Sequence, residues 1–199
     1  MNGTAPYSIY SLGDSAITID FGDTINVKTN EQVLLLFQRL KELKQDHFLD
    51  LIPAYSTLTV VYDPICIASN GRTAFDKVTE LVSGIISNLD KEDRSGARQL
   101  NIPVCYSNKF GPDLEEISVQ KRTPVEEIIR IHTAGKYRVY MIGFLPGFPY
   151  MGEVDDVIAT PRKAIPRLSV AAGSVGIAGK QTGIYPLESP GGWQIIGRT

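Results

Sequence analysis

The run RLSVAAGSVGIAGKQTGIYPLESPGGWQIIGRT, residues 167–199, decides how the second half of the chain folds. It divides into RLSVAAGSVGIAG, GIYPL and WQIIG, short β-type stretches separated by glycine and proline. That pattern predicts a β-barrel or sandwich carrying one or two helices. Upstream, YRVYMI reads as another strand and feeds GFLPGFPYMG, residues 143–152. This loop combines aromatic rings, which are usually buried, with glycine and proline, which break regular elements. Proline fixes φ and lowers the cost of ordering a loop, while glycine permits turns and close backbone approach. Gly143, Pro146 and Gly147 therefore shape the loop, and Phe148 is a candidate pocket wall. YPLESPGGWQ, residues 185–194, repeats the recipe with Tyr185, Pro190, Gly191, Gly192 and Trp193. Two such loops favour a small-molecule site; the competing reading is that both only seal one end of a barrel.

Further outward, Thr123-Pro124-Val125-Glu126 has the form of a helix start, with Thr123 as cap, Pro124 first in the helix and Glu126 completing a capping box. The helix EEIIRIHTAG then ends at Gly135, read as a left-handed terminator. LNIPVCY, residues 100–106, reads as a strand. Twelve of the 18 glycines and nine of the 12 prolines lie after residue 99, and the charged stretch DKEDRSGAR, residues 90–98, separates the halves. That composition shift predicts a domain boundary. In the first half, YSIYSL, AITIDF and LTVVYD read as strands, the last stopped by Pro64. Helices are expected from about Val27 to Gln45 and from about Thr73 to Leu89. Their apolar stripes read as core, so this half is a small sheet covered by two helices.

Several function classes are excluded or disfavoured. A net charge of −2 argues against nucleic acid as the main partner. No apolar run is long enough for a membrane span, and the N-terminus does not read as a signal peptide. The sequon Asn2-Gly3-Thr4 then carries no glycan, and Cys66 and Cys105 are free thiols of a reducing cytoplasm. With two cysteines and two histidines, neither a disulfide scaffold nor a metal site is expected. GIAGKQTG, residues 176–183, departs from a phosphate loop: Gln181 stands where Ser or Thr is needed, and no helix follows. Ala172-Gly173-Ser174-Val175-Gly176 resembles a nucleophile elbow, but again lacks the helix. A turn in a β-rich domain is preferred.

Charge is less uniform. From Val157 to Leu187 there is no acidic residue; Arg162, Lys163, Arg167 and Lys180 give that span +4, against −6 for the rest. A local basic field suits an anionic ligand or an acidic partner surface. His132, at a helix C-terminus, reads either as structural or as a ligand contact or proton shuttle.

FGPDLEE, IRIHTAGKYRVYMIGFLPGFPYMGEV and PRKAIPRLSVAAGSVGIAGKQTGIYPLESPGGWQIIGRT together resemble the allophanate hydrolase subunit 1 family. That family includes the B subunit of bacterial 5-oxoprolinase and the sporulation kinase inhibitor. The resemblance implies an α+β protein: a small α/β sandwich domain over residues 1–97, then a cyclophilin-like β-barrel domain of carboxyltransferase type over 98–199. It implies partners, namely the A and C subunits of a 5-oxoprolinase, the latter a protein of the allophanate hydrolase subunit 2 type. It implies ATP, with Mg²⁺, shared with those partners to open 5-oxoproline to glutamate. Inhibition of a histidine kinase and a role in a urea- or allophanate-processing system are the alternatives. Family members usually have proline where Ala171 stands, and continue beyond the terminal GRT. The barrel is therefore expected to lack closing strands here and to expose an edge.

Opening a lactam with ATP needs cations for phosphate and carboxylate groups. Arg162, Arg167 and Lys180 are the expected anion contacts. Ser174 and Gln181, with backbone groups around Gly173, would orient the amide. Phe148, Tyr185 and Trp193 would wall the pocket, and His132 with Gln181 would supply catalysis. No metal ligands stand out.

Overall fold

The computed structural model describes residues 7–24, 26–67, 71–89 and 98–199. The sequon at Asn2, and all but the last residue of the charged stretch 90–98, lie outside them. The chain divides into two compact units, Met1–Ala97 and Arg98–Thr199.

The first unit contains β1 (Ser8–Ser11), β2 (Ala16–Asp20), α1 (Val27–Glu42), β3 (Phe48–Pro53), β4 (Thr57–Tyr62), a short α2 (Pro64–Ile67) and α3 (Ala74–Ser87). The strands form one antiparallel sheet in the order β1-β2-β4-β3. Strand β4 alternates strictly, burying Leu58, Val60 and Tyr62. These meet Val33, Leu36 and Leu40 of α1 and Val78, Val82 and Ile86 of α3 in one core. Each such side chain contributes roughly 1.5–3 kcal/mol on burial. Helix α1 begins where Asn26 Oδ1 accepts from Thr29 N at 2.8 Å. Helix α3 begins with a capping box: Asp76 N donates to Thr73 Oγ1, and Thr73 N to Asp76 Oδ2. Pro64 does stop a strand, and it also opens α2, because Asp63 Oδ1 accepts from Ile65 N at 2.9 Å.

The second unit contains α4 (Leu114–Lys121), α5 (Val125–Ala134), β5 (Arg138–Ile142), β6 (Pro149–Gly152), β7 (Arg167–Val170), β8 (Ser174–Ala178), β9 (Gln181–Ile184), β10 (Ser189–Gly191) and β11 (Gln194–Arg198). Five strands form an antiparallel sheet, β11-β8-β9-β6-β5, and β10 pairs with β7. The fold is thus α+β, and its described sheets are open. Helices α4 and α5 pack Leu114, Ile117 and Ile128 against Val175, Ile177 and Ile196. No helix among the described residues is long and apolar enough to cross a membrane.

Three local readings are corrected. Thr123 does not cap α5: Pro124 is the cap residue, and the Thr123 hydroxyl donates to Lys121 O at 3.1 Å. Gly135 is extended, with φ −69° and ψ 142°, rather than left-handed. A Cβ there would run into the Tyr137 ring, so close packing explains the glycine. LNIPVCY is not a strand; only Cys105 bridges to Arg198.

Candidate functional site

The loop at 143–148 joins β5 to β6 as a hairpin, closed by Gly143 N donating to Phe148 O at 3.2 Å. Gly147 turns the chain at φ +83°, a region a Cβ disfavours. The turn sends Phe148 inward, where its ring lies edge-on to Tyr150, Tyr185 and Trp193 at centroid distances of 4.9, 5.1 and 5.3 Å. Such pairs add about 0.5–1.5 kcal/mol each beyond area burial. Phe148 and Tyr185 are 1% exposed and Trp193 4%. The three predicted pocket walls are therefore core filler, because the hairpin folds them onto one another. Gly191 of the second loop lies against the Tyr185 ring so closely that a Cβ would collide with it. Pro190 and Gly191 belong to β10, and the carbonyl of Gly192 accepts from Lys163 N at 2.7 Å.

Over this aromatic core lies a charged brace that the sequence did not disclose. Asp113, next to α4, is buried. Its Oδ1 accepts from Arg167 Nη2 at 2.5 Å and from Lys163 Nζ at 3.1 Å, and its Oδ2 accepts from Ile195 N at 2.5 Å. Lys163 Nζ also reaches Glu116 Oε2 at 2.8 Å and Gln194 Oε1 at 3.4 Å. Gln194 Nε2 donates to Pro161 O at 3.1 Å. Burial alone would raise the Asp113 carboxyl. Hydrogen bonds from Arg167, Ile195 N and Lys163 outweigh it and hold the group below its ordinary value. Lys163 is held above its ordinary value by Glu116 and Asp113, against burial. The brace pins residues 161–167 to β11. Two of the basic residues, Lys163 and Arg167, thereby neutralise acidic partners, and only a net single positive charge remains when Arg162 is included.

Arg162 is exposed, with its guanidinium 5.8 Å from the Trp193 ring centroid. In the same segment of chain Ile165 is 83% exposed and Leu168 92%. A segment, residues 162–168, that carries an exposed cation and exposed apolar side chains suits recognition of an anionic or amphipathic surface.

The other predicted residues fall elsewhere. Lys180 sits at the β8–β9 turn, its Nζ 2.7 Å from Asp156 Oδ1, with both groups exposed. That turn is a hairpin with no helix after it, which rules out a phosphate loop there. Gln181 opens β9 opposite Ala178 and Gly152. Ser174 opens β8, buried, and its carbonyl accepts from Tyr185 N at 2.9 Å. Gly173 precedes it at φ +80°.

His132 is buried rather than poised for proton transfer. Thr182 Oγ1 donates its one proton to Gly176 O at 3.0 Å, so it accepts from His132 Nε2–H at 3.2 Å. Nδ1 then accepts from the Tyr106 hydroxyl at 2.8 Å. Tyr137 stacks on the ring at 5.0 Å. Burial pushes the imidazole down to about 4, so it is neutral at pH 7 and burial overrides the helix dipole. The expected acid/base is a buried strut tying α5 to the sheet.

Asp113 and Glu116 lie in FGPDLEE, but nothing in the sequence pointed to their pairing with basic residues. Their partners lie about 50 residues away, and single-sequence periodicity carries no sign of such a pairing.

Residues 7–199 match the model of the carboxyltransferase domain, subdomain C and D. The chain is 45% identical to the 5-oxoprolinase B subunit of Bacillus subtilis over 98% of its own length and 83% of that protein. It is similar to the crystal structure of TTHA0988, with 37% identity and a TM-score of 0.78, covering 92% of this chain and 34% of that one. Urea carboxylase of Kluyveromyces lactis shares the fold at 16% identity and a TM-score of 0.73, over 97% of this chain and 19% of that one.

Proposed function

The chain belongs to the carboxyltransferase domain, subdomain C and D, family, and from that membership we propose that it is the B subunit of an ATP-dependent 5-oxoprolinase. In this reading it works with the A and C subunits in the cytoplasm to open 5-oxo-L-proline to L-glutamate. Residues 1–97 serve as the small α/β domain and 98–199 as a cyclophilin-like barrel-type domain. The observation that carries the reading is the 45% identity to a 5-oxoprolinase B subunit over nearly the whole chain.

The site's geometry supports a recognition role within such an assembly. No group of three or more His, Cys, Asp and Glu side chains converges to hold a metal among the described residues. Asp113 and Glu116 are already engaged by cations. The β8–β9 hairpin has no helix after it and so does not form a phosphate loop of the helix-N-terminus kind. In this reading ATP, with Mg²⁺, is shared with the partner subunits. The segment with exposed Arg162, Ile165 and Leu168 supplies the contact surface in this reading.

The test is to assemble the chain with its A and C partners and follow ADP release. The reading expects ADP release to rise with 5-oxoproline and to need this chain. Stimulation by urea or allophanate instead, or inhibition of a histidine kinase by the chain with no turnover, would replace it.

A further inference from the structure

Arg162 sits on a strap, residues 161–166, that the rest of the second unit holds in place. Proline stands at both ends, Pro161 and Pro166, and limits φ there. Gln194 Nε2 donates to Pro161 O at 3.1 Å, and Lys163 N donates to Gly192 O at 2.7 Å. The backbone is thus tied down on either side of Arg162. Pro166 lies against the same glycine: a Cβ on Gly192 would meet its Cγ at 3.6 Å. The side chain is placed as well. The guanidinium is 5.8 Å from the Trp193 ring centroid. Burial raises the Tyr185 hydroxyl above its ordinary value, and the Trp193 N–H donated to it and the Arg162 charge oppose that rise. The Arg162 charge therefore lies close to that hydroxyl.

The cation itself is uncommitted. Lys163 and Arg167 face Asp113, Lys163 also faces Glu116, and Lys180 faces Asp156. Arg162 is exposed and has no ion-pair partner among the described residues. A guanidinium keeps its charge at any working pH, and its fork of N–H donors matches a planar carboxylate through two parallel hydrogen bonds. A cation already held in place also loses less freedom on binding than a loose side chain does. An exposed arginine in a segment that exposes Ile165 and Leu168 has the make-up of a protein interface rather than of an enclosed small-molecule pocket. We propose that Arg162 is the anchor for an aspartate or glutamate side chain of a partner subunit, with the strap serving to present it. The proposal rests on the reading of this chain as one subunit of a larger assembly.

The full chain is titrated with the A and C subunits by calorimetry, at low and at high salt. Arg162→Gln is expected to weaken binding to one of them about tenfold, the order of one charged contact, and to lower its salt dependence. Arg162→Lys keeps the charge without the fork and is expected to fall between the two. The thermal midpoint of each variant is expected to stay near that of the parent, which separates a lost contact from a displaced strap. The amine introduced by Arg162→Lys gives a second readout. In the assembled complex it is coupled to a neighbouring carboxylate with a zero-length carbodiimide, and mass mapping is expected to find an amide between position 162 and an aspartate or glutamate of the partner. Unchanged affinity with Arg162→Gln would overturn the proposal. So would coupling of position 162 to none of the partner's carboxylates in a complex that forms. A parent chain that binds neither subunit would overturn the assembly reading, and the proposal with it.

Discussion

Asp113→Asn tests the brace directly. The substitution keeps the size of the side chain and an acceptor for Ile195 N, and removes the charge that faces Arg167 and Lys163. Breaking a fully buried ion pair by removing one partner costs about 3–5 kcal/mol. Here the Asp113 side chain is 3% exposed, but Arg167 and Lys163 are 28% and 21% exposed, so water recovers part of the loss. A cost of about 2–3 kcal/mol follows. For a unit near 100 residues this lowers the midpoint of thermal unfolding by roughly 10–20 °C. The single tryptophan, Trp193, is buried beside the brace, so its fluorescence follows the second unit. Because Asp113 is held below its ordinary value when folded, its contribution is present above about pH 3.9 and is lost as pH falls further. Asp113→Asn should remove that acid-side slope. Glu116→Gln, whose side chain is 62% exposed, should change the midpoint little. An Asp113→Asn protein as stable as the parent, with the same pH profile, would refute the claim that the carboxylate braces residues 161–167.

His132 has a folded value near 4 against about 6.5 unfolded, so stability should fall by about 3 kcal/mol as pH drops through that window; His132→Gln should flatten this slope, read by urea denaturation at several pH values. Gly191→Ala should lower the unfolding midpoint because its methyl meets the Tyr185 ring, whereas Gly192→Ala, with its nearest neighbours at 3.6–3.8 Å, should be tolerated. Arg162→Ala should cost no more than about 1 kcal/mol of stability, since an exposed cation–π contact is worth little, yet weaken binding to partner subunits measured by titration calorimetry.

Much of the fold was legible where one physical signal dominated. The stripes of α1 and α3 and the alternation of β4 follow from burying one face, and both helices appear within a few residues of their expected ends. Strand β3 was missed because it is an edge strand ending in Pro53, with a register irregularity between Phe48 and Asp50 and two exposed apolar residues, Leu49 and Ile52. Helix α4 was missed because only Leu114 and Ile117 mark its buried side, too little for periodicity. At the site, the two Gly/Pro-rich aromatic loops were found, but composition could not say which way their rings turn. The hairpin closure at Gly143 and Phe148 turns Phe148 inward. The basic span was visible as well. Its long-range neutralisation by Asp113 and Glu116 was not, because those contacts exist only after α4 meets residues 161–167.

The central claim is that this chain is a working subunit of an enzyme that opens 5-oxoproline. Its most direct test is glutamate release from 5-oxoproline by the assembled A, B and C subunits, with ATP and with each component omitted in turn. The account predicts glutamate only when this chain and ATP are both present. Equal glutamate release without this chain, or none from a verified complete assembly, would contradict it.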